Sequence, residues 1–266
     1  MLPRLVEELR LAGCVFAEDE AETVLATVRA GGGSPASGRE DAALRDYVER
    51  RRRGEPAEYI LGWAQVASLK VAVGPGVFIP RPWSETLVLR AASLLGAGSS
   101  GIAVDLGTGS GALVLAVRAL VRTTRVWATE VDPVAAEWAE RNFADADGLT
   151  VCRGGLYDAL PRSLEHNVDV VFGSLPYVPS TELERLPRDH LVHEPLVAFD
   201  GGVQGLATVT RALQEAGRWL RPSGHILLEI GVGQGPAVMA IAGAAGFTRP
   251  VIHHDADGAE LFLEAS

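Results

Sequence analysis

The sequence predicts an α/β protein: an open, mostly parallel sheet with helices on both faces, an antiparallel hairpin at its C-terminal end and a small all-α unit before it. Three observations predict this. Between residues 102 and 230, short β-rich apolar runs alternate with helical stretches, as strands joined by crossover helices do. The last two apolar runs are separated only by Asp255 to Ala259, too short a stretch for a crossover helix, so they pair antiparallel. Before residue 60 the apolar residues recur at helical spacing instead.

Taken in order, residues 2–30 carry Leu, Val and Ala at helical intervals and stop at Gly31, Gly32, Gly33, Ser34 and Pro35, which open a linker running to Gly38. A second helical stretch, 40–53, ends at Gly54. From 63 to 79, Val-rich runs broken by Gly74, Pro75 and Gly76 read as two strands around that turn. Strands follow at 102–106, 125–129, 168–172 and 225–230, then the terminal pair at 250–254 and 260–263. The expected units are a helical segment 1–60, a linking hairpin 61–82 and a sheet domain 83–266.

Composition bounds the function. The 266 residues, 47% hydrophobic and 22% charged, suffice for one large core and a small one, which excludes collagen and a disordered tail. Two cysteines, Cys14 and Cys152, both in apolar patterns, exclude a disulfide scaffold and fit a reducing cytoplasm. Acidic residues outnumber basic ones by 34 to 24, a net charge of −10, so no nucleic-acid partner is expected. The first turns are charged and no stretch approaches ~18 uncharged apolar residues, so no membrane partner is expected either.

Asp105, Leu106, Gly107, Thr108, Gly109, Ser110 and Gly111 form a glycine-rich turn between a buried strand and an apolar helix. In an open parallel sheet, ligands bind where strand C-termini and helix N-termini converge. Glycine there permits positive φ and close approach of a ligand to the backbone. Glu130 ends the next strand, where a carboxylate accepts both hydroxyls of a ribose. Both features also fit a nicotinamide dinucleotide, but the terminal antiparallel hairpin does not belong to the standard dinucleotide-binding sheet. This half of the chain resembles class I S-adenosylmethionine (SAM) methyltransferases, which implies a Rossmann-like seven-stranded sheet with an antiparallel last strand and SAM as cofactor.

Four separated motifs agree on one family: Pro56 to Gly62, Val77 to Glu85, the glycine loop, and Glu194 to Leu206 with its Asp200, Gly201, Gly202 and Gly205. Together they resemble the peptide-release-factor glutamine N5-methyltransferases, the HemK/PrmC family, over nearly the whole chain. The resemblance implies that Pro80, Arg81, Pro82, Asp105, Gly107, Thr108, Gly109 and Gly111 enclose SAM and that Glu130 holds its ribose. It also implies a glutamine in a Gly-Gly-Gln loop as methyl acceptor.

One departure bears on that acceptor. The family has Asn-Pro-Pro-Tyr after the fourth strand, where this chain has Ser174, Leu175, Pro176 and Tyr177. In the family, the Asn oxygen and the first Pro carbonyl accept both N–H bonds of the substrate amide, aiming a poorly nucleophilic nitrogen at the methyl group. A serine hydroxyl is shorter and rotates. The change predicts a diverted enzyme that methylates a small molecule, at an amine, hydroxyl or activated carbon. In that reading Ser174, Leu175, Pro176 and Tyr177 are catalytic, and Trp83, Tyr177, His193 and Glu194 bind the acceptor. Retained glutamine methylation of a release factor is one alternative, and a degenerate SAM-binding interaction protein is another. Gly155 stands where the family has an adenine-contacting acid, with Asp158 as a nearby substitute. Arg50 to Arg53 read as a solvated C-terminal helical turn. His190 and His193 are candidate proton acceptors, and no residue set has metal-ligand spacing.

Overall fold

The computed structural model describes residues 1–30, 39–96, 100–122 and 124–266. The expected linker 31–38 lies outside the described residues. Helix α1 (Leu2–Leu11) starts with Pro3 in its first turn, where the missing N–H has no helical partner to lose. The single helix expected over 2–30 is in fact two, because Gly13 adopts φ +88° and turns Cys14 into the core. Helix α2 (Ala17–Ala30) then opens with Glu18, Asp19 and Glu20 at the positive end of its dipole. Helix α3 (Arg39–Arg52) ends before Gly54, and Leu9, Val24, Leu44, Tyr47 and Val48 form the core shared by these helices. Glu20 accepts hydrogen bonds from the Tyr47 hydroxyl at 2.9 Å and Arg51 Nε at 2.7 Å, so Arg51 is drawn between α2 and α3. The arginine run is therefore not a free solvated turn: Arg50 pairs with Glu55, and Arg52 and Arg53 with Glu49.

Helix α4 (Ala57–Leu61) ends at left-handed Gly62 and leads into strands β1 (Trp63–Val66) and β2 (Leu69–Ala72). Their turn is at Ala67 and Ser68, not at Gly74 to Gly76 as expected. Those glycines serve packing instead. A Cβ on Gly74 would stand 2.6 Å from the Trp138 ring, and one on Gly76 2.8 Å from Val134. Tyr59, Val73, Val77 and Ile79 pack with Ala135 and Trp138, and the Tyr59 hydroxyl donates to the Val77 carbonyl at 2.5 Å.

The remaining elements are α5 (Ser84–Leu95), β3 (Ile102–Leu106), α6 (Ala112–Leu120), β4 (Arg125–Glu130), α7 (Pro133–Phe143), β5 (Leu149–Arg153), β6 (Val168–Gly173), α8 (Arg188–His193), α9 (Ala207–Ala216), β7 (Leu220–Glu229), α10 (Gly235–Ala244), β8 (Val251–His254) and β9 (Glu260–Ala265). They build a seven-stranded sheet in the order β5-β4-β3-β6-β7-β9-β8, with β9 antiparallel to both neighbours. β5 was missed in the sequence because it is an edge strand with no fully buried position. β7 begins five residues earlier than expected: its pairing jumps from Val168↔Leu220 to Val170↔His225, and residues 221–224, with Pro222, bulge out between.

Alternate residues of the central strands feed two cores. Phe172 and Leu227 face α5 and α6 with Leu87 and Val117, while Val171 and Leu228 face α9 and α10 with Leu213 and Val238. Each such large side chain contributes about 1.5–3 kcal/mol on burial. The reversal of crossover direction between β3 and β6 leaves the ends of β3, β4 and β6 open at one edge, where the glycine loop meets residues 174–177 after β6, the loop aligned with the family's acceptor motif.

Candidate active site

The glycine loop takes positive φ at Gly107 (+66°), Gly109 (+56°) and Gly111 (+80°). Each needs glycine for a different reason. At Gly111 a Cβ would strike the Phe143 ring beneath the start of α6, at Gly107 it would lie 3.1 Å from Leu175, and at Gly109 it would meet open space. The Leu175 contact shows that the acceptor loop lies directly over the glycine loop. Glu130 Oε2 accepts from the Gly109 N–H at 2.8 Å and Oε1 from that of Asp132 at 2.9 Å, so one carboxylate ties the glycine loop to the turn between β4 and α7. Burial pushes the Glu130 carboxyl up, and the surrounding backbone N–H groups pull it back. Asp132 caps α7, accepting from Val134 and Ala135.

Behind the loop, Asp105 is buried, accepts the Thr108 hydroxyl at 2.6 Å on Oδ2, and has no partner for Oδ1 among the described residues. Burial pushes its carboxyl up to about 8, with the Thr108 hydroxyl opposing and Glu130 and Glu229 adding to the rise. The folded state thus keeps a proton that an unfolded aspartate loses near pH ~4. This group's contribution to stability therefore falls as pH rises from about 4 to about 8. Asp105→Asn should flatten that fall, read as the urea midpoint of cofactor-free protein at about pH 5 and about pH 8. An unchanged loss of stability between the two would contradict the assignment.

The acceptor loop leaves β6 through Gly173. Ser174 Oγ donates to Glu229 Oε2 at 2.6 Å, and the Tyr177 carbonyl accepts from Gln234 Nε2 at 2.9 Å. A Cβ on Gly201 would lie 2.7 Å from the Pro176 carbonyl, and one on Gly205 would overlap the Tyr177 carbonyl, so these glycines let their loop clasp the acceptor backbone. Tyr177 is pushed up to about 12 by burial and the Glu229 charge, with Arg81 and Trp83 pulling the other way.

These loops enclose a cleft of about 450 Å³. Of the sequence-predicted site residues, Pro80, Gly107, Thr108, Gly109, Glu130, Ser174, Leu175 and Pro176 line it. Asp105 and Gly111 support the loop from behind. Pro82 helps start α5, accepting from Glu85 N–H through its carbonyl. Trp83 is half exposed beside Ser84, which lines the cleft. Arg81, His193, Glu194 and Tyr177 lie outside the lining. Glu194 accepts Ile79 N–H at 2.8 Å and Arg81 Nη2 at 2.6 Å, and His190 Nδ1 lies 2.5 Å from it, which straps Pro195, Val197 and Ala198 over the cleft. The His193 carbonyl lies 3.4 Å from the Tyr59 hydroxyl. Asp158 pairs with Arg211 at 2.8 Å, and Arg211, not Asp158, lines the cleft beside Gly155. Arg211, Gln234 and the Glu229 contact carry no local sequence signal, since each acts on a partner far away in the chain.

SAM fits this cleft on two observations. The backbone at Gly109 faces open space with no Cβ to fill it, and the lining near the glycine loop offers the carboxylates Glu130 and Asp132 in place of a phosphate-binding lysine. Fold and cleft define a class I SAM-dependent methyltransferase. Solved structures agree in fold: a methyltransferase from Pyrococcus furiosus has a TM-score of 0.54 at 20% identity, covering 75% of this chain and 89% of that one. The N-terminal domain of human METTL16 in complex with SAH has a TM-score of 0.54 at 17% identity, covering 74% and 75%. No protein-family model matches the chain. The protein named release factor glutamine methyltransferase in Gloeobacter violaceus is 35% identical over 217 residues, 80% of this chain and 75% of the relative. Its namesake in Bifidobacterium longum is 34% identical over 238 residues, 84% and 80% of the two chains. This chain belongs to the release factor glutamine methyltransferase family.

Proposed function

We propose that this protein transfers a methyl group from SAM to the side-chain amide nitrogen of a glutamine presented by a peptide release factor. The observation that carries the reading is the held path of the acceptor loop: Ser174, Leu175 and Pro176 line the cleft, and Gln234, Gly201 and Gly205 grip the backbone behind them. Two side chains of the family motif have changed, while the backbone that presents its acceptors is still clasped. When bound, SAM supplies a methyl group on a positively charged sulfur. The chain's residues align the acceptor. The Ser174 oxygen and the Leu175 carbonyl take the two amide N–H bonds, Tyr177 supports the loop, and Glu130 holds the cofactor's ribose. The amide nitrogen gains the methyl and gives up one proton to water. Alignment supplies most of the acceleration, since an amide nitrogen reacts only from a narrow approach.

The rim supports a macromolecular acceptor. Trp83, Leu196 and Val197, in or beside the lining, are 48%, 49% and 51% exposed, apolar surface of the kind that a protein partner covers. The small-molecule acceptor expected chiefly from Ser174 and Leu175 has no support from the relatives, which carry the name of the glutamine-methylating enzymes. On this reading segment 1–60 docks the partner, 61–82 couples it to the sheet, and 83–266 carries out the transfer. The free thiols Cys14 and Cys152 agree with a reducing cytoplasm, and among the described residues no helix is long and apolar enough to cross a membrane.

The test is incubation with SAM and an intact release factor, following S-adenosylhomocysteine release and the mass of the Gly-Gly-Gln peptide. One added methyl on the glutamine is expected, and none when that glutamine is replaced. Turnover on a metabolite extract but not on the release factor would establish the small-molecule enzyme instead. SAM binding without turnover on either would establish an interaction protein.

A further inference from the structure

Glu229, at the C-terminal end of β7, is 3% exposed, and its Oε2 accepts a hydrogen bond from the Ser174 hydroxyl at 2.6 Å. Its Oε1 is buried without a hydrogen-bond partner among the described residues. A hydroxyl has one proton and two lone pairs, so whichever group takes the proton decides which way the lone pairs point. Ser174 directs its hydroxyl proton to a group behind the loop, and the residue is part of the cleft lining.

We infer that Glu229 is a positioning residue acting through Ser174: by holding the serine's only proton, it makes Oγ a fixed acceptor facing the substrate amide. The family's asparagine oxygen has that property by itself, whereas a lone serine does not. The inference deepens the glutamine-methylating reading and rests on it. It also answers the rotational freedom that separates a serine from an asparagine at this position.

Ionisation of Glu229 is required, because a protonated carboxyl donates to Oγ and frees the serine proton to swing toward the amide. Burial pushes Glu229 up; the bonded Ser174 hydroxyl pulls it back, as does the nearby Ser84 hydroxyl on α5, which makes no hydrogen bond to it within 3.5 Å. The titratable groups facing it are Asp105 on β3 and Tyr177 on the acceptor loop, both of which sense its charge. The paired residue on β9 is Phe262, which carries none. The rate therefore falls on the acid side, above the usual glutamic acid range.

A substitution cycle tests the pair on intact protein with a release factor as acceptor. Ser174→Ala and Glu229→Leu should each slow transfer by about ten- to a hundredfold, and the double variant should be no slower than Ser174→Ala. Ser174→Asn should restore most of the rate, remove the acid limb, and reduce the Glu229→Leu effect to about twofold or less. S-adenosylhomocysteine affinity by calorimetry should stay within about twofold throughout, which separates a lost contact from a lost fold. Fully multiplicative losses, or an equal Glu229→Leu loss in the Ser174→Asn background, would overturn the inference. A second readout needs no acceptor: the infrared carboxyl band that Glu229→Leu removes should titrate at higher pH in Ser174→Ala, since the hydroxyl favours the charged form. An unmoved midpoint would also overturn the pair. A shifted midpoint in a protein that leaves release factors unmethylated would keep the pair and refute the acceptor.

Discussion

Glu194→Ala should destabilise the protein by about 3–5 kcal/mol and weaken S-adenosylhomocysteine binding by about tenfold or more. The carboxylate is buried, with its side chain 1% exposed, and is held by the Arg81 guanidinium and the Ile79 N–H. Truncation leaves a largely buried cation and a backbone donor with no acceptor, and water reaches neither freely. The Arg81–Glu194 pair is also the tie between segment 78–82 and the strap carrying Pro195, Val197 and Ala198 over the cleft, so lost stability becomes lost closure. His190 does not replace it: its Nδ1, 3.0 Å from Arg81 Nη2, offers the guanidinium an acceptor without negative charge, and the Ile79 N–H still loses the carboxylate oxygen it donates to. Glu194→Gln, which keeps an acceptor for Ile79, should retain part of both properties. Urea unfolding and calorimetry give the two numbers, and a Glu194→Ala protein binding as tightly as the parent would show that the strap does not close the site.

Gly173→Ala should lower the methyl-transfer rate by about a hundredfold, with a stability loss of about 1–3 kcal/mol. A Cβ there would stand 2.5 Å from the Leu106 carbonyl, a backbone atom of the neighbouring strand with no rotamer to escape into. β3 and β6 must separate just where β3 becomes the glycine loop and β6 the acceptor loop. A displacement on the order of 1 Å between reacting groups costs about a hundredfold in rate. Single-turnover rates beside the urea midpoint decide it. A rate within about threefold of the parent would mean that the two loops adjust independently of their strands.

Those two positions differ in how far the sequence alone discloses them. Gly173 stands immediately before the acceptor motif, so its place is marked in the sequence, while its need for glycine comes from β3 lying beside β6. The motif marks Glu194 as an acceptor-binding residue, because a place in a motif says that a residue matters without saying what it touches. Its partners lie 113 and 115 residues away. Ser174 and Glu229 are 55 residues apart, and nothing local to either one announces the other. The same holds for the fold. The helix break at Gly13 and the turn at Ala67 and Ser68 were hidden by stronger nearby signals, the apolar period of 2–30 and the Gly-Pro-Gly at 74–76. β5 offered too little buried surface to be heard as a strand.

What the sequence determined by itself is whatever depends on neighbours along the chain. The alternation of buried strands and helices, the antiparallel ending, the glycine loop with its positive φ angles, and the carboxylate of Glu130 beside it all belong there. The tertiary structure alone decided which buried charge meets which donor: Glu194 with Arg81, Glu229 with Ser174, Arg51 with Glu20. Backbone preferences and apolar periodicity act over a few residues. A buried polar group must be satisfied by whatever the packing of distant segments brings to it, and those pairings turned an altered acceptor motif into an ordered site.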